Sequence, residues 1–315
     1  MAGKSVNEVR KDIMGRKTVI TAIRSDRPQD HASPARVEKS LPPEKCFFCP
    51  GNEKLTPPEL DRIESAYGKW QIRCFPNKFP AFSPASPKAY GRHEVIVETP
   101  DHKKSLSELS VDNLVNYLTM VQKRMNVARQ DSKIAYTVVF KNEGKLGGAS
   151  LEHSHTQVVS FGEVPDYVKK LTKKTDDFSK LEKSHAKNIF AQNAHFFAFC
   201  PKASRFHLES WIAPKRPVPS ILKLDAGQLR SLAEILKSAL SALDATSGFG
   251  PYNIIFHSSP CDESNFPFHI QILPRLSTWA GFELGTDMVM LSQLPEDTAK
   301  KFKEFLVSPP MKNED

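Results

Sequence analysis

The sequence predicts an α+β protein assembled from an internal duplication, on three observations. Short β-branched and aromatic runs alternate with proline-rich loops through the first third of the chain. Each half then carries a long helical stripe of apolar residues. Two motifs of the first half recur in the second at one offset: Pro100 and Pro214 are 114 residues apart, and so are His155 and His269.

The clearest early strands are "TVITAIR" (17–23), "WQIRCF" (70–75) and "HEVIVET" (93–99), with loops such as "PASPKAYG" between them. From Ser110 the period changes. Leu114, Leu118, Val121 and Met125 recur at i, i+4, i+7 and i+11, which places them on one helical face, with Ser110 as N-cap. A further strand, "IAYTVVFK" (134–141), runs into a glycine-rich loop and then into "GGASLEHSHTQVV" (147–159). Residues 167–187 are dense in charge; lysines mixed with acids, with aromatics only at Tyr167 and Phe178, are expected to mark a solvated segment between the halves rather than a basic nucleic-acid tract. The second half repeats the order. "ESWIAP" echoes "VIVETP", Leu229, Leu232, Leu236 and Leu243 form the second stripe behind Asp225 as cap, and "YNIIF" echoes "YTVVF". The expected division is residues 1–190, residues 191–307 and a tail, 308–315. The copies are unequal: His153 faces Pro267 across the repeat, and His102 faces Arg216. The first copy keeps more ionisable side chains, so chemistry is expected there.

The bulk numbers narrow the class. The 315 residues are 39% hydrophobic and 25% charged, enough for an ample core. A net charge of +8 favours anionic partners, either polyanions or small phosphorylated ligands. The N-terminus shows no apolar leader, and no apolar run reaches membrane-spanning length, so no membrane association is expected. Five cysteines, an odd and sparse set, argue against a disulfide framework and fit a reducing cytoplasm.

Two constellations carry chemistry. Cys46 and Cys49 stand at C-x-x-C spacing, which lets two thiolates hold one tetrahedral zinc. A redox pair or two buried small side chains are the competing readings. The other ligands must come from histidines: His102 and His153 complete a closed set, although spacing alone does not separate His102 from His93. In the second constellation, strand alternation turns His153, His155 and Gln157 to one face. A neutral imidazole at His155 is a good nucleophile toward phosphorus. Gln157 can donate a hydrogen bond to a phosphoryl oxygen but cannot deliver a proton. The loop "NEGKLGGAS" is expected to bring backbone N–H groups near phosphate, although it is not a Walker A loop.

"HSHTQ" behind "FKNEGKLGGAS" resembles the active-site segment of galactose-1-phosphate uridylyltransferases and their relatives, a branch of the histidine triad superfamily. "IRSDRP", "CFFCPGN", "FPNKFPAF", "TPDHKKSLSELS" and "GFELG" extend the resemblance over about residues 10 to 307, and their order and spacing make it specific. The resemblance implies two histidine-triad-like repeats sharing a mainly antiparallel sheet flanked by helices. It implies that His155 becomes nucleotidylated, that Gln157 contacts the transferred phosphoryl group, and that one zinc is held by Cys46, Cys49, His102 and His153. Arg24 and Arg27 match an arginine pair near the nucleotide phosphates, Asn142 and Ser150 match loop positions near the nucleotide, and Phe75 and Asn77 match the base and ribose region. Phe282 and Glu283 match a segment that reaches the sugar, often across the interface of a homodimer. A second metal, present in some members, is not expected: His257 and His269 remain, but Gln271 and Leu171 stand at the other two ligand positions. Ser154 replaces a common proline, which leaves nucleobase and acceptor open. The implied activity is ping-pong uridylyl transfer from UDP-glucose to galactose 1-phosphate. ADP-glucose phosphorylase, with phosphate as acceptor, is the alternative. A zinc-dependent nucleic-acid-binding protein is a distant third, as no nucleic-acid motif accompanies the positive charge.

Overall fold

The computed structural model describes residues 7–21, 41–260 and 266–307. The strands, in order, are β1 (Glu8–Lys11), β2 (Lys17–Ile20), β3 (Asp61–Glu64), β4 (Trp70–Pro76), β5 (Gly91–Val97), β6 (Tyr136–Glu143), β7 (His155–Phe161), β8 (Ile189–Gln192), β9 (Phe196–Phe199), β10 (Ser210–Pro214), β11 (Tyr252–His257), β12 (His269–Pro274) and β13 (Val289–Leu291). The helices are α1 (Val111–Arg129), α2 (Asp166–Thr172), α3 (Thr175–Ser179), α4 (Leu181–Ser184), α5 (Ala226–Ser247), α6 (Gly281–Thr286) and α7 (Pro295–Val307).

Among the described residues, ten strands form one sheet in the order β3-β4-β5-β7-β6-β11-β12-β10-β9-β8. Every neighbouring pair is antiparallel. Outward from the central β6–β11 pair the two flanks mirror each other, so the duplication seen in the sequence is written into the strand order. Each long helix buries the stripe the sequence marks: Leu114, Leu118, Val121 and Met125 on α1, and Leu229, Leu232, Leu236 and Leu243 on α5. Both helices pack on each other and on the sheet, in one core. Their starts are capped as the sequence indicates. Ser110 accepts from the Asn113 N–H at 3.2 Å, and Asp225 accepts from the Gln228 N–H at 2.8 Å.

The ladder aligns β7 against β5 with His155 opposite Val97 and Gln157 opposite Val95. Regular pairing begins at His155, so His153 and Ser154 precede the strand in which the alternation placed them. From the other face of β5, Glu94 meets Arg124 of α1 in a buried bidentate pair, 2.7 and 2.9 Å. Helix and central strand are thereby locked in register; removing one partner of such a pair costs about 3–5 kcal/mol.

In a smaller sheet, β1-β2-β13, the strand expected at "TVITAIR" (17–23) appears as β2, while β1, β13 and their pairing have no counterpart in the sequence reading. Its β2–β13 pairing is parallel and joins the N-terminal residues to the second half of the chain. Arg10 reaches Glu296 at 2.8 Å, and the Thr18 hydroxyl lies 3.4 Å from the Ala203 carbonyl. No helix of the described residues is long and apolar enough to cross a membrane.

Candidate active site

The C-x-x-C segment follows a short turn of 3-10 helix at Pro43–Lys45, and the Cys49 N–H returns to the Cys46 carbonyl at 3.3 Å. Asn52 donates to that same carbonyl at 2.8 Å, so the turn presents both sulfurs on one side. His102 comes from the loop after β5 and His153 from the residues entering β7. The ligand atoms of Cys46, Cys49, His102 and His153 all lie within 4.8 Å of one another. Cys49 Sγ is 3.2 Å from His102 Nδ1 and 3.5 Å from His153 Nδ1, and Cys46 Sγ is 3.6 Å from His153 Nδ1.

The three Cys–His separations lie close to those around a tetrahedral ion, whose bonds of about 2.0–2.3 Å set ligand atoms roughly 3.3–3.8 Å apart; the set as a whole, within 4.8 Å, would need to draw in slightly around one. The donor chemistry fits too. His153 Nε2 donates to the Thr99 carbonyl at 2.8 Å, which leaves Nδ1 bare and aimed at the sulfurs. Burial pushes the His153 imidazole down to about 4 and holds it neutral. Burial, and then Cys46 alongside, pushes the Cys49 thiol up to about 12, so a cation must displace a proton from that sulfur on binding. His93, which spacing left as a rival to His102, lies elsewhere and bonds Gln157.

His155 is buried, 6% exposed. Its Nδ1 lies 2.9 Å from the His153 carbonyl, an oxygen that can only accept, so the ring proton sits on Nδ1 and Nε2 carries the free lone pair. Burial, and then the Lys141 ammonium, lowers its pKa from the usual 6.5 and keeps that lone pair unprotonated at neutral pH. Phe48, from within the C-x-x-C segment, packs its ring edge-on against both histidines, centroids 5.3 Å from His155 and 6.0 Å from His153.

Behind His155 the opposite face of β7 enters a buried polar network. Lys141 on β6 is fully buried. Its Nζ meets Glu98 at 3.0 Å, Ser154 Oγ at 2.9 Å and the His155 carbonyl at 3.4 Å. Ser154 and Thr156 each donate to Glu98 at 2.5 Å, and Tyr117 of α1 reaches Thr156 at 3.0 Å. Burial alone would depress the Lys141 ammonium, but Glu98 and Glu143 offset it and hold the pKa above the ordinary lysine value. The network also accounts for serine at 154: its hydroxyl bridges Lys141 and Glu98, which a proline cannot do.

The other expected residues divide. Asn142, on β6, accepts from Asn253 of β11 at 2.8 Å; Asn253 also donates to the Gly147 carbonyl at 2.6 Å, so the second repeat holds the glycine loop of the first. Gly147 must be glycine, because an added Cβ would stand 2.8 Å from the Tyr252 carbonyl. Ser150 is exposed at the loop's end. The backbone N–H groups of Gly147, Gly148 and Ala149 close the loop's own turns, so they are not directed at a phosphate as expected. Asn77 follows β4 and lies 3.2 Å from His93 Nε2. Phe75 is 2% exposed, packed with Phe48, Trp70, Val95 and Val97; it backs the site and presents no open surface. Phe282 and Glu283 lie on α6, beside β13, where Glu283 accepts from the Ala280 N–H at 3.0 Å. Arg24 and Arg27 lie outside the described residues. Phe48, Glu98, Lys141 and Asn253 are not singled out by sequence reasoning, and His93 entered it only as a rival metal ligand, not as a partner of Gln157; among the others only the spacing of Phe48 inside "CFFC" offered a signal.

The second repeat carries a reduced copy. His269 Nδ1 meets the Pro267 carbonyl at 2.7 Å, as His155 meets that of His153. Its ring stacks on His257 at 4.5 Å and on Trp211 at 5.0 Å, and Gln271 Nε2 contacts its Nε2 at 3.3 Å. Leu171 is fully buried among Tyr136, Val168 and Phe266. Burial lowers the His257 imidazole to about 4, and that of His185 likewise. The unfolded chain, with histidines near 6.5, takes up protons first as pH falls. The stability from these neutral rings is therefore complete above 6.5 and is lost as pH drops toward 4. The expected outcome is a urea midpoint that falls across that window. His257→Phe should show a shallower fall than the parent chain; equal slopes would remove His257 from the account.

A sheet of two like halves, one carrying His-x-His-x-Gln across the entry to a central strand beside a Cys/His cluster, is the architecture of the histidine triad superfamily. Residues 4–165 match the family described as galactose-1-phosphate uridyl transferase, N-terminal domain, and residues 90–308 match a domain of unknown function (DUF4921). The chain is 31% identical to ADP-glucose phosphorylase of Arabidopsis thaliana over 94% of its own length and 92% of that protein's. It is 25% identical to galactose-1-phosphate uridylyltransferase of Thermotoga maritima over 86% and 93% of the two chains. Among solved structures it resembles an ADP-glucose phosphorylase from Arabidopsis thaliana with bound ADP-glucose, with a TM-score of 0.84 at 30% identity, covering 95% of this chain and 99% of that one. The chain belongs to the galactose-1-phosphate uridylyltransferase family, in the GalT-like branch of the histidine triad superfamily, and is a nucleotidyltransferase.

Proposed function

We propose that the protein transfers a nucleoside monophosphate from a nucleoside-diphosphate sugar through a covalent intermediate on His155. The observation that carries this is the His155 ring itself: neutral, with its proton fixed on Nδ1 by the His153 carbonyl and Nε2 free to attack. In the first step Nε2 attacks the α-phosphorus, the bond to the bridging oxygen breaks, and hexose 1-phosphate leaves. A phosphate leaving group is a weak base, so a proton donor is not required, and Gln157 suffices where an acid would otherwise be needed. In the second step an acceptor phosphate oxygen attacks the same phosphorus, the P–N bond breaks, and the imidazole returns neutral.

Uridylyl transfer from UDP-glucose to galactose 1-phosphate is the main reading, supported by the family match over the N-terminal half. ADP-glucose phosphorylysis, with inorganic phosphate as acceptor, is the second, favoured by the likeness to the Arabidopsis protein over nearly the whole chain. We assign one zinc to Cys46, Cys49, His102 and His153, where it pins the residues entering β7 and thereby the position of His155. No second metal is assigned to His257 and His269, since Gln271 and Leu171 leave the donor set incomplete. A homodimer in which Phe282 and Glu283 serve a partner's site belongs to the same reading; the exposure of Phe282 and Leu284 on α6 supports it.

The test is intact-protein mass after brief incubation with UDP-glucose, UDP-galactose, ADP-glucose or GDP-mannose, each alone. A UMP adduct discharged by galactose 1-phosphate is the expected result. An AMP adduct discharged by phosphate transfers the assignment to the phosphorylase. No adduct from any donor removes His155 as nucleophile.

A further inference from the structure

We infer that His93 is a positioning residue that fixes which end of the Gln157 carboxamide faces the reacting phosphoryl group; this rests on the role proposed for Gln157. His93 on β5 and Gln157 on β7 are diagonal neighbours on one face of the sheet, since Gln157 pairs with Val95 and His93 with Val159. The Ala81 N–H donates to His93 Nδ1 at 3.1 Å. Nδ1 accepts there and is therefore the bare nitrogen, and Nε2 carries the hydrogen. That Nε2 stands 2.7 Å from Gln157 Oε1. The Asn77 amide nitrogen is also near, at 3.2 Å, but the Asn77 oxygen is engaged by the Phe79 N–H at 2.8 Å, so Asn77 offers no acceptor. A donor at His93 requires an oxygen at Gln157, and the Gln157 NH2 group is turned to the other side, where it can donate to a phosphoryl oxygen. Among the described residues no hydrogen bond occupies it.

The second repeat shows what happens without this clamp. The glutamine is retained as Gln271, but the acidic residue before β10, Glu209, accepts from the Trp211 indole at 2.7 Å and from the Arg205 and Phe206 N–H groups. Gln271, whose side chain is also engaged by Tyr167 and His257, turns its Nε2 onto His269 Nε2, the atom whose lone pair an attacking imidazole must keep. In the first repeat the same collapse would tie Gln157 to His155. His93 thus separates a working His-x-Gln pair from a self-quenched one: it holds the carboxamide oxygen, and in doing so keeps the nucleophile's lone pair free.

Single-turnover adduct formation and ring-nitrogen NMR on selectively labelled protein test this together. His93→Asn keeps a short acceptor near Ala81 but cannot reach Gln157, and adduct formation at saturating donor should slow by about 100-fold, the scale of one lost phosphoryl-directed donor. His93→Gln, with an amide nitrogen reaching toward the Nε2 position, should recover most of that loss. On a Gln157→Ala background His93→Asn should cost nothing further, because the two act as a unit. The spectra of the parent protein should show His93 protonated on Nε2 and bare on Nδ1, with the Nε2 signal moved in Gln157→Ala. A His93 ring protonated on Nδ1, or losses that multiply in the double variant, would overturn the inference. Absence of any adduct on the parent protein would instead remove His155 as nucleophile, while the ring-nitrogen spectra still decide the His93–Gln157 pairing.

Discussion

His155→Asn protein, offered a sugar nucleotide, is expected to acquire no nucleotidyl adduct and to turn over at least about 10⁴-fold more slowly than the parent, as enzymes do when their nucleophile is removed. The fold should survive. The interactions that hold the segment run through the other face of β7, from Ser154 and Thr156 to Glu98 and from Lys141 to the His155 carbonyl, and none uses the imidazole. Among the described residues the ring's hydrogen bond runs from Nδ1 to the His153 carbonyl, and an asparagine amide can remake it. The variant should therefore unfold near the parent temperature and retain its metal. Folded protein with undiminished turnover would end the assignment. A variant that melts early would show instead that the Phe48–His155 ring contact supports the fold, and His155→Gln would then be the substitution to measure.

The parts of the site that lie along one strand were legible in the sequence, because a period of two assigns faces without tertiary information. His155 and Gln157 share a face, and Ser154 and Thr156 share the other, as alternation requires. The duplication was legible in the offset of 114 from His155 to His269, which the ladder keeps; across β5 and β10 the offset is 116, since Ile96 opposes Thr156 and Ile212 opposes Ile270, so Pro100 and Pro214 are not ladder counterparts. What the sequence could not reveal depends on neighbours across the sheet. His93 and Gln157 are 64 residues apart and meet only because β5 and β7 pair in a particular register. Lys141 on β6 and Glu98 just past β5 are 43 residues apart, and only the pairing of β6 with β7 and β7 with β5 buries them together. Phe75, matched to a base-binding position by resemblance, is covered by Phe48, a residue from the cysteine loop that alternation within β4 cannot take into account. The parallel β2–β13 contact joins residues about as far apart as the chain allows, and nothing local encodes it.

Cys46→Ser is expected to leave the protein with well under one zinc per chain and a thermal midpoint lower by several degrees, with loss of transfer following from misplacement of β7. A serine hydroxyl is a poor replacement for thiolate at a tetrahedral site, and loss of a ligand should weaken binding by more than about 100-fold, since removing only an outer partner costs about 10–100-fold. The structural consequence follows from where the four donors come from. Cys46 and Cys49 sit in a loop before β3, His102 follows β5, and His153 leads into β7, so an ion held by all four would tie together three segments that otherwise meet through the apolar packing of Phe48 against Phe75, Val95 and Val97 and through ring contacts to His153 and His155. The Thr99 carbonyl, which orients His153, belongs to the same β5 exit and would lose its purpose with the metal. Because the His153 carbonyl fixes the proton on His155 Nδ1, loosening His153 should loosen the tautomer of the proposed nucleophile as well. Metal analysis, calorimetry and adduct formation on the same preparation separate these steps. Full zinc in the variant would refute Cys46 as a ligand. Zinc loss with unchanged stability and unchanged adduct formation would show that the ion does not position β7.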